Sequence, residues 1–263
     1  MRLATFNILH AGSPTDGTVD LDRFTSAIAT LDADVVALQE VDRGQPRSHG
    51  ADLTALAARA MGASDSRFAA TLVGMPTVWS ASSGEPPKDA ASYGISLLSR
   101  HPVRSWQVVD LPPAPVRVPY LRHGRRTPAL IRDEPRAAIA AVIDVPAGPL
   151  TVVATHLSFI PGWNAVQLRR LVRAVRWLPR PVVVMGDLNL AGRRPQWLSG
   201  WSPLASATTF PLAAPTRQID HILADGPVRA VSDAVALDLG LSDHRALVVD
   251  VELGSAARRK EAR

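Results

Sequence analysis

Short apolar runs that each end on a polar side chain constrain this chain more than any other feature. The opening run closes at Asn7, VVALQE at Glu40, TVVATH at His156 and VVVMGD at Asp187, with Asn189 two residues on. Such continuous, unperiodic runs read as strands buried on both faces. Asp220 lies inside QIDHIL, and Asp243 with His244 immediately precedes the last run, RALVVDVEL. One Asp or Asn after a strand is an ordinary turn former. The same pattern at run after run points to a site assembled from many strand ends, where sheet proteins place their chemistry.

The rest of the chain fits around these runs. A first strand spans Leu3 to Leu9. Asp20 caps a helix with Leu21, Phe24, Ile28 and Leu31 at helical spacing, and Asp52 starts a second with Leu53, Leu56 and Ala60 on one face, ended by Gly62. A third runs from about Trp163 to Leu178, with Val166, Leu171, Val175 and Leu178 toward the core and Arg169, Arg170, Arg173 and Arg176 on the wet side. Further strands are read at Tyr93 to Ser99, Ala137 to Val145, Leu150 to His156, Pro181 to Asp187 and near Val228 to Val235. The stretch Leu111 to Pro135 holds six prolines with Arg117, Arg122, Arg125, Arg126 and Arg132 and reads as a long irregular loop, either a rim over the catalytic face that binds a second phosphate or anionic headgroup or a mobile surface loop with solvated charge. Strands outnumber helices, which predicts two packed sheets with helices outside. There is no internal repeat or clear boundary, so residues 1–253 are read as one domain, with 254–263 as a disordered tail.

Composition narrows the chemistry. The chain has no cysteine, so thiolate metal sites, disulfides and a cysteine nucleophile are excluded. Oxygen and imidazole ligation remains, which suits Mg²⁺, Mn²⁺ or Ca²⁺. The net charge is +5, carried almost wholly by arginine, since Lys88 and Lys260 are the only lysines. Arginine matches phosphate through its planar fork. No segment is apolar for long enough to span a membrane, and the first residues lack a signal-peptide core, so the expected location is the cytoplasm. No obligate protein partner is evident.

Phosphate-ester hydrolysis would use these groups coherently. Asn7 and Glu40 suit a hard divalent cation. Asp187 can orient or deprotonate water, and Asn189, His156 and His244 can donate to the phosphate oxygens. Asp220 can hold His244. His221 alternates with Asp220 on a strand and should point the other way, as a packed structural residue. His10 is left between cleft and loop, and Asp42 and Glu134 are left undecided.

The segments TFNILHAG, ALQEVD, YGISLLSR, ATHLSF, GDLN, QIDHIL and LSDHRALVVDV, in this order, resemble the endonuclease/exonuclease/phosphatase superfamily from residue 2 to about 253. The resemblance implies a four-layer α/β/β/α sandwich of two mixed, mainly antiparallel sheets flanked by helices. It implies metal ligation by Asn7 and Glu40 with Asp243 nearby, Asp187 and Asn189 at the attacking side, and an Asp220–His244 pair on the scissile phosphate. Whether Asp187 or His244 is the base differs between proposals for the family. His156 matches the deoxyribonuclease and sphingomyelinase branches rather than the abasic-site endonucleases. Tyr93 matches an aromatic found before that strand in the family, with a plain core role as the alternative. Arg136 sits where related enzymes place an arginine on phosphate, with a surface salt bridge as the alternative. The expected activity is Mg²⁺-dependent phosphodiester hydrolysis, on nucleic acid or a membrane lipid headgroup. The alternatives are a phosphomonoesterase of a soluble metabolite or inositol phosphate, and a non-catalytic binding member of the fold.

Overall fold

Two strand–helix–strand units fix the architecture of the protein, described from a computed structural model covering residues 1–76, 78–82, 84, 86–87, 89–120, 127 and 129–254. In the first unit, β1 (Arg2–Asn7) passes through α1 (Leu21–Leu31) to a parallel β2 (Val35–Arg43). The Asp20 side chain accepts from the backbone N–H groups of Asp22 and Arg23, which starts α1, and Phe24, Ala27, Ile28 and Leu31 are its buried face. Next come α2 (Leu53–Met61), β3 (Asp65–Val73), β4 (Ser80–Ala81), β5 (Ser92–Ser99), β6 (Val103–Leu111), β7 (Val118–Tyr120), β8 (Ala129–Ile131) and β9 (Arg136–Val145). Asp52 caps α2, and Gly62, at φ 67°, ends it in the left-handed region that glycine enters without strain.

The second unit joins β10 (Gly148–His156) through α3 (Trp163–Ala174) to a parallel β11 (Val182–Asp187). The chain closes with α4 (Arg194–Ser199), β12 (Ser202–Pro203), β13 (Asp220–Asp225), β14 (Val228–Ala230), β15 (Val235–Leu237) and β16 (Ala246–Leu253). One sheet runs β14-β16-β1-β2-β5-β3-β4, with β15 also on β16; the other runs β12-β13-β11-β10-β9-β6. Every pairing apart from β1–β2 and β10–β11 is antiparallel.

The continuous apolar runs follow from this layering. Leu3, Ala37, Ile139, Val152 and Met185 fill the space between the sheets. Their chain neighbours face outward: Ala4, Val36 and Leu38 pack under α1 and α2, and Val153 and Val184 pack under α3. Each central strand is thus apolar on both faces, and the molecule is an α/β/β/α sandwich. Gly186 is required by the close approach of β10, since a Cβ there would lie 1.9 Å from the Thr155 carbonyl oxygen. That glycine brings Asp187 level with His156.

Three expectations change. The run near Val228 to Val235 is not one strand but two short ones, β14 and β15, each paired with β16. On α3, Val166 is 44% exposed, and the buried positions include Asn164 and Gln167 beside Leu168 and Leu171. Hydrogen bonds turn the helix this way: Asn164 Nδ2 donates to the Asn189 carbonyl, Gln167 Oε1 accepts from Ser158 N–H, and Gln167 Nε2 donates to the Pro112 carbonyl. The helix itself ends at Ala174, and a short 3-10 turn covers Val175–Trp177. The stretch 111–135 is not wholly irregular, because β7 and β8 pair as a two-stranded ribbon. Asp133 ties its base down by accepting from Ala114 N–H and Ser158 Oγ. Arg122, Arg125 and Arg126, and the tail from 255 to 263, lie outside the described residues. Among the described residues no helix is long and apolar enough to cross a membrane.

Candidate active site

The two parallel pairs bring their C-terminal ends to one place. In register, Asn7 stands beside Gln39, and His156 beside Asp187. β13, antiparallel to β11, starts there with Asp220 opposite Asp187. The turn before β16 closes the ring: Ser242 Oγ donates to the Asn7 carbonyl at 2.6 Å and accepts from His244 N–H at 3.0 Å.

Glu40 reaches this centre through a distortion of β2. The pairing of β2 with β5 slips between Gln39 and Val41, so Glu40 is the extra residue of a bulge, with φ 58°. Bulges re-aim a side chain off the alternating faces of a sheet. Asn189 at φ 50° and Ser242 at φ 67° also hold left-handed backbone. Left-handed conformations cost a non-glycine residue about 1 kcal/mol or more, and here they cluster around one cleft.

Hydrogen bonds fix the polar floor. Asn7 Nδ2 donates to Glu40 Oε1 at 3.1 Å and to Asp187 Oδ2 at 3.2 Å, while Asn7 Oδ1 accepts from Leu9 N–H. Asp187 Oδ1 accepts from Asn189 N–H at 2.9 Å. Asp220 is fully buried, and its Oδ2 accepts from Thr209 Oγ1 at 2.5 Å and from His244 Nδ1 at 2.9 Å. His244 Nε2 then stands 3.8 Å from Asp187 Oδ2.

The two histidines are in opposite states. Burial lowers the affinity of His244 for its proton, but the Asp220 carboxylate, helped by Asp187 and Asp243, overcomes this and lifts its pKa to about 10. His156 is held well below the ordinary imidazole value by burial and by the charges of Arg136 and His244. Arg136 Nη1 lies 3.1 Å from His156 Nδ1. A guanidinium can only donate, so Nδ1 accepts and the His156 proton sits on Nε2, facing Asp187 Oδ2 at 3.5 Å. Burial first, then the Asp220 charge, raises Asp187 above the usual carboxylate range. Burial also raises Glu40, with Asp243 adding to it against the Asn7 hydrogen bond and the Arg136 charge. Tyr93 is kept protonated by burial and by the Glu40 charge.

These groups line a cavity of about 880 Å³. Asn7, Glu40, Tyr93, Arg136, His156, Asp187, Asn189, Asp243 and His244 all reach it, and Asp220 sits behind His244. Arg136 is itself buried and forms an ion pair with the exposed Glu134, Nη2 to Oε2 at 3.5 Å, while among the described residues its Nε has no partner. His221 is structural, as expected, with Nε2 2.8 Å from the Leu190 carbonyl. His10 does not line the cavity. Asp42 is committed to Arg47, whose Nε and Nη2 each donate to it at 2.8 Å. Sequence reasoning missed Thr209, which lies in a stretch without motif, and the wall formed by Phe159, Trp197 and Phe210.

Asp187, Asp220 and His244 each offer an atom within 4.8 Å of the others, a spacing that a metal ion could bridge. His244 Nδ1 and Asp220 Oδ2 are engaged with each other, which leaves His244 Nε2 and the Asp187 carboxylate as the groups such an ion would meet. Glu40 and Asp243 could also hold an ion: they are hard oxygen ligands near enough to repel each other, and among the described residues Glu40 has one neutral amide as its hydrogen-bond donor.

The model of the Endonuclease/Exonuclease/phosphatase family matches residues 4–244. Among solved structures, the chain is similar to an endonuclease/exonuclease/phosphatase from Beutenbergia cavernae, at 26% identity over 97% of this chain and 72% of that one, with a TM-score of 0.66. A mannosyl-6-phosphatase from Bacteroides thetaiotaomicron matches at 14% identity, over 96% of this chain and all (100%) of that one, with a TM-score of 0.65. TDP2 from D. rerio, complexed with a single-strand DNA product, matches at 16% identity over 96% and 98%, with a TM-score of 0.59. The last two likenesses are of fold. A search of curated proteins returned no match.

Proposed function

This chain belongs to the endonuclease/exonuclease/phosphatase family, hydrolases acting on phosphate esters, and on that premise we propose that it is a divalent-metal-dependent phosphodiesterase in which Asp187 takes the proton of the attacking water. The observation that carries this reading is the pairing of a raised carboxyl with an imidazolium 3.8 Å away. His244 cannot accept a proton while it holds one on each nitrogen. Asp187, raised toward neutrality, is suited to accept one near physiological pH.

The other roles follow from hydrogen-bonding capacity. His244 presents Nε2–H as a cationic donor to a non-bridging phosphate oxygen, and Asp220 with Thr209 fixes its ring. His156 presents a neutral Nε2–H, with its tautomer set by Arg136. Asn189 and Tyr93 add neutral donors. Such fixed donors stabilise charge that develops in the transition state. Glu40 and Asp243 would hold Mg²⁺ or Mn²⁺, with Asn7 joining if its amide turned Oδ1 inward. A divalent cation bound there would neutralise phosphate oxygens and ease departure of the leaving alkoxide.

Nitrophenyl esters test the reading. Chelated protein should be inactive toward bis(4-nitrophenyl) phosphate, and Mg²⁺ or Mn²⁺ should restore hydrolysis. Full activity in excess chelator would remove the metal. Faster turnover of 4-nitrophenyl phosphate than of the diester would favour a phosphomonoesterase, an activity that the fold accommodates in the B. thetaiotaomicron mannosyl-6-phosphatase.

A further inference from the structure

Part of the cavity lining is built differently from the groups that would handle a phosphate. Phe210 packs on His244, with ring centroids 4.9 Å apart, and the Arg217 guanidinium lies 5.7 Å from the centroid of the Phe210 ring. A backbone bridge between Phe210 and Arg217 fixes the pair. α4 adds Arg194 and Trp197 to the lining, three residues apart and so on neighbouring positions of one helix face. Trp197 is 73% exposed, a large apolar surface left in water at the cavity rim. Leu198 and Ile219 also line the cavity.

Charge completes the picture. Arg2, Arg23, Arg47, Arg100, Arg104 and Arg180 each have a carboxylate partner. Among the described residues Arg194 and Arg217, like Arg59 and Arg169 on the surface, have none, and these two line this cavity. Two aromatic rings and two guanidinium groups without a carboxylate partner, lining one cavity, fit a flat ring that bears an anion. A bare phosphate at the catalytic groups would leave them uncovered.

We propose that this part of the cavity is a specificity subsite for one ester arm of the substrate. Trp197 and Phe210 take a flat ring, and Arg194 and Arg217 take a second anionic group, as on a nucleotide carrying an extra phosphate. The inference rests on the phosphodiesterase reading of the catalytic groups and adds which diester is preferred.

Three probes with a common 4-nitrophenyl group test it, with all products separated by chromatography. Methyl 4-nitrophenyl phosphate has neither ring nor anion on its second arm, thymidine 5′-(4-nitrophenyl phosphate) adds the ring, and thymidine 3′-phosphate 5′-(4-nitrophenyl phosphate) adds both. Wild-type kcat/KM should rise along that series. Trp197→Ala should lower the ratio of the second probe to the first by about tenfold, as expected for one lost stacking surface. The double variant Arg194→Gln/Arg217→Gln should lower the ratio of the third to the second by about tenfold or more, as expected for lost charge-assisted contacts. A flat series in the wild type, or ratios unchanged in the variants, would overturn the subsite and leave the phosphodiesterase reading intact. If no ester is cleaved with any divalent metal, that reading falls by itself. Calorimetric binding of thymidine 3′,5′-bisphosphate then decides the subsite: weakening of about tenfold in the double variant supports it, and absent or unchanged binding overturns it.

Discussion

Replacing Asp220 with Asn removes one charge from a fully buried position and keeps the shape of the side chain. In the wild type the Asp220 carboxylate is the main reason that His244 holds its proton up to about pH 10 against the opposing effect of burial. A rise from 6.5 to about 10 corresponds to roughly 5 kcal/mol favouring the imidazolium. Without that charge, burial dominates and His244 should be neutral at pH 8. A folded-state pKa above the unfolded value contributes stability that is fully present below about pH 6.5 and is lost as pH rises through about 10. The stability gap between wild type and Asp220→Asn should therefore be widest near pH 6 and shrink by on the order of 3–5 kcal/mol toward pH 10. Imidazole ¹⁵N shifts of His244, recorded in chelator, read the charge directly, and urea unfolding across pH reads the linkage. Turnover should fall by roughly 10²–10⁴-fold, with Asp220→Asn/His244→Ala little worse than His244→Ala, because paired groups are non-additive. A wild-type His244 that titrates near 6.5, or one that titrates identically in the variant, would refute the reasoning.

Three other outcomes follow from the same geometry. Because Asp187 is raised above the usual carboxylate range, its basic form is lost early on acidification, so kcat/KM should decline while pH is still above about 5; activity constant to about pH 4 would contradict this. Arg136→Gln should raise the His156 pKa, by removing one of the charges that lowers it, and cut kcat/KM by about 10- to 100-fold; an unmoved His156 titration in NMR spectra would separate Arg136 from the imidazole. Gly186→Ala should destabilise the protein by about 3 kcal/mol or prevent folding, since its Cβ meets the Thr155 carbonyl oxygen, and an unchanged melting temperature would count against the β10–β11 approach.

Most of the fold could be read from the sequence because its signals are local. Asp20 and Asp52 cap the helices they precede, and the runs ending at Asn7, Glu40, His156 and Asp187 are strands whose ends meet. Features that depend on distant partners were hidden. Nothing in VVALQEV announces that Glu40 leaves the strand alternation in a bulge. Thr209 has meaning only through Asp220, and Ser242 only through the Asn7 carbonyl. On α3 the sequence points Leu171 and Val175 correctly to the core but misplaces Val166, because Asn164 and Gln167 are polar by composition but buried by their hydrogen bonds. The ring and arginine wall around Trp197 and Phe210 has no linear motif, since it joins a short helix to a later bridge between Phe210 and Arg217.

The most direct test of the account is the initial rate of bis(4-nitrophenyl) phosphate hydrolysis at pH 8 with saturating Mg²⁺, compared between wild type and Asp187→Asn. The proposed roles predict steady hydrolysis by the wild type and a loss of roughly 10²–10⁴-fold in the variant, whose amide cannot take the water proton. Equal rates in the two proteins would contradict Asp187 as the proton acceptor, and the chemistry derived from the cleft with it.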